Sequence, residues 1–252
     1  MVKNVTIDKI TYELDYPFAT VIFCDKDITF ANIRAKVEDC VVNSISEEAF
    51  AGCQELKDVY IDSLSKEEFL KYISADFSIG DYAFNECTNL KEIYIPMYYN
   101  EFGRGAFRYC AKLSTFNYNG EAFIGEYCFA SCKALESVNV CNLPEGCFSN
   151  CRSLKKFIVS DKIDEIETDA FEYCANLEYV YIPKSVKHIG QTVFRNDFNL
   201  KKVEFEDPKS WEYTSAYHDN NFKISFDNPE KNAKMFMSED FDDGVLGYNK
   251  IK

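Results

Sequence analysis

Between residues 45 and 205 the apolar positions recur with one spacing. Ile45, Ala49, Phe50, Cys53, Leu56, Val59 and Ile61 are followed by Ile79, Ala83, Phe84, Cys87, Leu90, Ile93 and Ile95. The same slots return five more times, ending at Ile189, Val193, Phe194, Asp197, Leu200, Val203 and Phe205. From one Phe to the next the steps are 34, 23, 22, 19, 23 and 23 residues. Self-similarity at a fixed period of this size is the signature of a stacked repeat.

Each unit has two parts. The end, as in Leu177-Glu-Tyr-Val180-Tyr-Ile182, alternates apolar and polar residues and predicts a strand. The start, as in Ala170-Phe-Glu-Tyr-Cys174, places apolar residues at i, i+1 and i+4 and predicts one helical or 3₁₀ turn. Neither piece buries its own apolar face, whereas stacked copies do. The expected fold is an α/β solenoid, with a parallel sheet on one face and short helical or 3₁₀ turns on the other. An N-terminal hairpin or cap is expected over residues 1–36, the repeats over 37–206 and a C-terminal cap over 207–252.

Three places depart from the pattern. About eleven extra residues fall within 62–78; Ser65-Lys-Glu-Glu68 reads as a capping box, with Phe69, Leu70, Tyr72 and Ile73 behind it on a short amphipathic helix. That helix is either a packed insertion or an element that docks a partner. The fifth copy is short and carries Pro144, and the third has Phe102-Gly103-Arg104-Gly105. Both are expected to distort the stacking locally.

The repeat resembles the BspA-type leucine-rich repeats of bacterial surface proteins and some protozoan parasites, most clearly in IGDYAFNECTNLKEIYIP (79–96) and IETDAFEYCANLEYVYIP (166–183). The opening IDKITYELDYPFATVIFCD resembles the short hairpin that often starts such proteins. DNPEKNAKMF (227–236) resembles the Asn-Pro and short helix that often close the bacterial ones. The resemblance implies a leucine-rich-repeat solenoid, protein binding or adhesion, and a cell-surface or secreted location.

Composition narrows the function classes. The formal net charge of -14 repels phosphates and anionic lipid, so nucleic acid is not expected as a partner. No apolar run approaches the roughly 20 residues of a membrane helix, so no membrane insertion is expected. The first residues do not read as a secretory signal, which leaves an intracellular chain or one whose signal has been removed. Large apolar volume comes from 22 Phe and 17 Tyr.

Of 11 cysteines, Cys53, Cys87, Cys110, Cys132, Cys151 and Cys174 share one slot, where a small, buried, weakly polar side chain fits. Asp197 takes that slot in the last copy, where the stack is expected to open to water. Cys128-x-x-x-Cys132 and Cys147-x-x-x-Cys151 are looser than zinc pairs, and structural burial is the favoured reading. His188 and His218 are the only imidazoles, and no phosphate loop, nucleophile elbow or His-Glu-x-x-His motif occurs. No catalytic residue, metal or cofactor is therefore assigned. Trp211 is expected to cover the open end of the core rather than to stack on a ligand.

The strand residues between the inward pairs face outward. The candidate partner-binding residues are Tyr60, Tyr94, Asn117, Asn139, Ile158, Tyr179 and Tyr181, on the exposed sheet face. Tyrosine supplies apolar area with a hydroxyl, which suits protein interfaces and sugar platforms alike, and it is also simply a good strand former. Protein recognition is the leading reading. Glycan binding, a carboxylate-pair enzyme and a structural spacer are the alternatives.

Overall fold

The computed structural model describes residues 2–118, 120–208, 211–215, 222–224, 226–237 and 244–248. The chain divides into two compact units, Met1–Asn139 and Val140–Lys252.

The first unit contains β1 (Lys3–Ile7), β2 (Ile10–Asp15), β3 (Phe18–Cys24), β4 (Phe30–Ile33), β5 (Lys36–Val37), β6 (Cys40–Ile45), β7 (Asp58–Ile61), α1 (Lys66–Lys71), β8 (Ser78–Ile79), β9 (Glu92–Tyr94), β10 (Glu101–Phe102), β11 (Thr115–Asn117) and β12 (Phe123–Ile124). β1, β2 and β3 form an antiparallel meander; Asp8 and Lys9, both left-handed, make its first turn. The repeats then build two parallel sheets. One runs β4-β7-β9-β11, and the other continues the meander through β3, β6, β8, β10 and β12. β4, which lies within the expected N-terminal cap, is already the first strand of the former sheet.

The second unit contains β13 (Lys156–Ile158), β14 (Glu165–Ile166), β15 (Tyr179–Ile182), β16 (His188–Ile189), β17 (Lys202–Phe205), β18 (Trp211–Ser215), β19 (Phe222–Ile224), α2 (Pro229–Phe236) and β20 (Gly244–Tyr248). β13, β15 and β17 pair in parallel. β14 and β16 extend into an antiparallel group, β16-β20-β18-β19. α2 is capped by Asn228, whose Oδ1 accepts from the Glu230 and Lys231 backbone N–H at 3.1 and 3.0 Å. Asn232 of α2 donates to the Val203 and Phe226 carbonyls at 2.8 and 3.0 Å, and buried Trp211 packs edge-on to Phe205.

The turn segment of each copy is neither α-helical nor 3₁₀. The residues two before and two after the Phe are left-handed in all seven copies, from Glu48 and Gly52 to Thr192 and Asn196. A ladder between coils enforces this. The N–H groups of Tyr82, Phe84 and Glu86 donate to Arg104, Ala106 and Arg108 carbonyls at 2.8, 2.8 and 2.9 Å, and equivalent triplets recur. In five copies three such bonds run to the next coil, and together they offset the roughly 1–2 kcal/mol cost of each left-handed side chain.

The third copy is regular, contrary to expectation. Gly103 N–H donates to Ile79 O at 2.7 Å, and a Cβ there would lie 2.5 Å from the Asp81 backbone N. Gly105 fills one of the left-handed positions, with a φ of 57°, and leaves room for the Tyr82 ring. The two glycines are what let the coil approach its neighbour. The fifth copy does weaken. Pro144 has no N–H to donate, and its neighbour Leu143 makes only an isolated bridge to Ile166.

Inside, the Phe rings stack coil on coil. Centroids are 4.8, 5.4 and 5.3 Å apart through Phe50, Phe84, Phe107 and Phe129. In the second unit Phe148, Phe171 and Phe194 follow at 5.7 Å.

Candidate functional site

The outward residues of two parallel sheets, β4-β7-β9-β11 in the first unit and β13-β15-β17 in the second, are held in register by strand pairing. In the first unit Asn32, Tyr60, Tyr94 and Asn117 stand side by side, with Phe30, Asp58, Glu92 and Thr115 in the next row. Tyr60 and Tyr94 are 43% and 41% exposed, and their ring centroids lie 5.6 Å apart. Glu92 Oε1 accepts from Tyr94 OH at 2.8 Å and from Asn117 Nδ2 at 3.2 Å. That carboxylate raises the Tyr94 phenol above its ordinary range, so it stays a neutral hydrogen-bonding group.

In the second unit Ile158, Tyr181 and Glu204 form one row, and Lys156, Tyr179 and Lys202 the other. Ile158 is 52% exposed. Tyr179 donates to Glu204 Oε2 at 2.9 Å and lies under the Lys156 ammonium, 5.1 Å from its ring centroid. Partial burial, then the Glu204 contact, push the Tyr179 phenol up to about 12; Tyr181 is raised too, by burial and then Glu206.

Asn139 does not join either row. The fourth copy forms no strand over Ser137–Asn139, and Asn139 is exposed outside the sheets. Only three residue steps separate Val140 from Leu143, against seven from Ile95 to Phe102, so the chain turns back too early for the strand to pair. The seven candidates on the sheet face thus fall into two groups, Tyr60, Tyr94 and Asn117, and Ile158, Tyr179 and Tyr181, with Asn139 outside both.

The insertion forms the expected capped helix. The Ser65 hydroxyl accepts from the Glu68 backbone N–H at 3.2 Å, and the Glu68 side chain reaches back to Ser65 N. Phe69 stacks on Tyr98 at 5.0 Å and Tyr72 meets Phe18 edge-on, while Leu70 and Ile73 remain exposed.

All 11 cysteines are thiols, ten buried and Cys141 half-buried. The repeat slot has a use: Cys87, Cys110, Cys132 and Cys174 donate to the Phe carbonyl of the preceding coil at 3.2, 3.1, 3.1 and 3.1 Å. Burial pushes the thiols of Cys87, Cys110 and Cys174 up. A maleimide added to the reduced, folded protein is therefore expected to label Cys141 first and the ladder thiols of Cys87, Cys110 and Cys174 only in denaturant. Rapid labelling of all sites in the native state would contradict the stacked core.

Asp197 is not where water enters. It is fully buried, because α2 brings Phe236 edge-on to Phe194 at 5.2 Å over the end of the stack. Sequence reasoning also missed Cys24. The spacing Cys24, Ile28, Ala31, Ile33 repeats Cys53, Leu56, Val59, Ile61 with one extra residue, and that signal marks an irregular first coil.

Among the described residues no group of three or more His, Cys, Asp or Glu side chains is placed to hold a metal, and no helix is long and apolar enough to cross a membrane.

The profile of the BspA type leucine-rich repeat region matches residues 68–144 and 124–236, with 6 copies. No curated protein matches the chain. Among solved structures, a leucine-rich cell surface protein from Faecalibacterium prausnitzii superposes with a TM-score of 0.69 at 23% identity, covering 88% of this chain and 61% of its own. A leucine-rich-repeat protein of T. pallidum gives 0.61 at 21% identity, over 79% of this chain and 91% of its own. One from Bacteroides ovatus gives 0.50 at 23%, over 80% and 70%. These likenesses show the fold. The chain spans about three fifths of the first of these proteins.

Proposed function

Because the chain belongs to the BspA-type leucine-rich-repeat family, we propose that it is a non-catalytic recognition module that binds a protein through its exposed sheet faces. The observation that carries this is the registered cluster of Tyr60, Tyr94 and Asn117, half-exposed, with Glu92 holding Tyr94 and Asn117 and the Tyr60 ring packed on Tyr94. Such a surface is formed before binding, so little ordering cost falls on association. Tyrosine at the centre of a patch, ringed by polar groups, is the composition that interface hot spots use. The same group on the second unit, Ile158, Tyr179 and Tyr181, supplies a further patch of this kind. The description of one similar fold as a cell surface protein favours a partner outside the cell.

The test compares the native chain with a variant carrying Tyr60→Ser, Tyr94→Ser, Tyr179→Ser and Tyr181→Ser, its folding checked by circular dichroism. A protein partner captured by the native chain is expected to bind the variant at least tenfold more weakly, the loss of one or two hot-spot side chains. Unchanged affinity would move the site away from the sheets, and the exposed Leu70 and Ile73 of the insertion would be examined next.

The Tyr60–Tyr94 pair, two exposed rings 5.6 Å apart, also supports a second reading, a platform for a sugar ring. Quenching of intrinsic fluorescence by soluble glycans, abolished in the same variant, would favour it.

A further inference from the structure

The thiol ladder of the first unit has an unusual bottom rung. Every later rung in that unit donates to a Phe carbonyl of the coil before it, at 3.1 or 3.2 Å. Cys53 belongs to the first regular copy and has no such coil beneath it. In that place stands Cys24, at the end of β3, with its Sγ 2.9 Å from the Cys53 Sγ. The Cys24 backbone is tied to the first copy as well, its N–H donating to Ala49 O at 3.0 Å. Both thiols are buried, yet the exposed Lys26 places its ammonium 4.0 Å from Cys53 Sγ while also donating to the Ala51 carbonyl. The pair therefore sits one side chain below the surface, beside a cation.

We propose that Cys24 and Cys53 are an exchangeable dithiol–disulfide pair, oxidised by low-molecular-weight disulfides and acting as a covalent latch between the N-terminal meander and the first repeat. The Cys53 thiolate attacks one sulfur of the small disulfide and expels one thiolate. Cys24 then gives up its proton and attacks the Cys53 sulfur of the mixed disulfide, expelling the second. Two protein thiols become one Cys24–Cys53 bond, and one small disulfide becomes two small thiols. Cys53 is the attacking sulfur because the Cys24 S–H and, next, Lys26 hold its thiol below the ordinary range. Buried neighbours farther up the ladder, such as Cys87 and Cys110, are held well above it.

The experiment uses the full reduced chain, folded, with oxidised glutathione as the probe, followed by acid quenching, alkylation and mass mapping. The expected product is one crosslink, Cys24 to Cys53, seen as a loss of about 2 Da with the other thiols still alkylated on unfolding. Lys26→Ala is expected to slow its formation several-fold at neutral pH, with the gap closing as the pH approaches the ordinary thiol range. A purely structural contact predicts no dependence on Lys26. Glutathione adducts or crosslinks at other cysteines in place of this one, or a crosslink that forms only in denaturant, would overturn the proposal. So would an unchanged rate in the Lys26 variant.

Discussion

Replacing Phe107 by Ala is expected to cost about 3–5 kcal/mol of stability, read as a fall in the urea midpoint of unfolding. Phe107 is fully buried between the Phe84 and Phe129 rings, and Phe102 and Phe116 meet it edge-on at 5.9 and 5.3 Å. The cavity left by its removal cannot collapse easily, because the ladder of the turn segments pins the backbone on both sides: Phe84 N–H donates to Ala106 O and Phe107 N–H to Cys128 O. Phe198→Ala supplies the control. That ring is 77% exposed, so its loss is expected to stay within about 0.5 kcal/mol. Equal losses at the two positions would mean that the ring stack is not the core.

The second large effect is a gain. Asp197 occupies the slot that six copies give to Cys, it is fully buried, and neither carboxylate oxygen has a hydrogen-bond partner among the described residues. Burial, with the Cys174 backbone N–H opposing and the Glu172 charge adding, pushes its carboxyl up to about 9. The folded chain therefore holds the proton more tightly than the unfolded chain does. Stability from this residue is greatest below the unfolded carboxylate value near 4 and drains away as the pH rises towards 9. At 1.36 kcal/mol per pH unit the loss at pH 7 is on the order of 4 kcal/mol as an upper bound. Asp197→Cys restores the thiol rung, and Asp197→Asn removes the charge. Both are expected to raise the urea midpoint at pH 7 and to bring little gain at pH 4. A gain of the same size at both pH values would show that packing, not ionisation, sets the cost.

Much of this architecture was legible in the sequence because its units repeat in register. The Phe, Leu and Ile slots are buried where the spacing placed them, Ser65 and Glu68 close their capping box, and Trp211 covers the end of the core. The pattern was silent where backbone rather than side-chain chemistry decides. The left-handed positions hold Tyr82, Glu86, Tyr109 and Asn150 as readily as Gly105, because inter-coil hydrogen bonds impose the conformation and composition leaves little trace of it. Asp197 looked like an opening to water because the cap that covers it lies 30 or more residues further along the chain. For the candidate surface, alternation alone placed Tyr60, Tyr94 and Tyr181 on the outward side. The short step after Val140, which removes Asn139 from the row, could be read only as a shortened copy.

If a protein partner binds the exposed sheet faces, a photo-crosslinker placed there captures it. A photo-crosslinking benzoyl-phenylalanine is placed at Tyr94, on the sheet face, or at Tyr109, on the turn segment, two side chains with the same 41% exposure. The expected result is a covalent adduct with the partner from position 94 and none from position 109. An adduct from 109, with 94 silent while the partner remains bound, would contradict it.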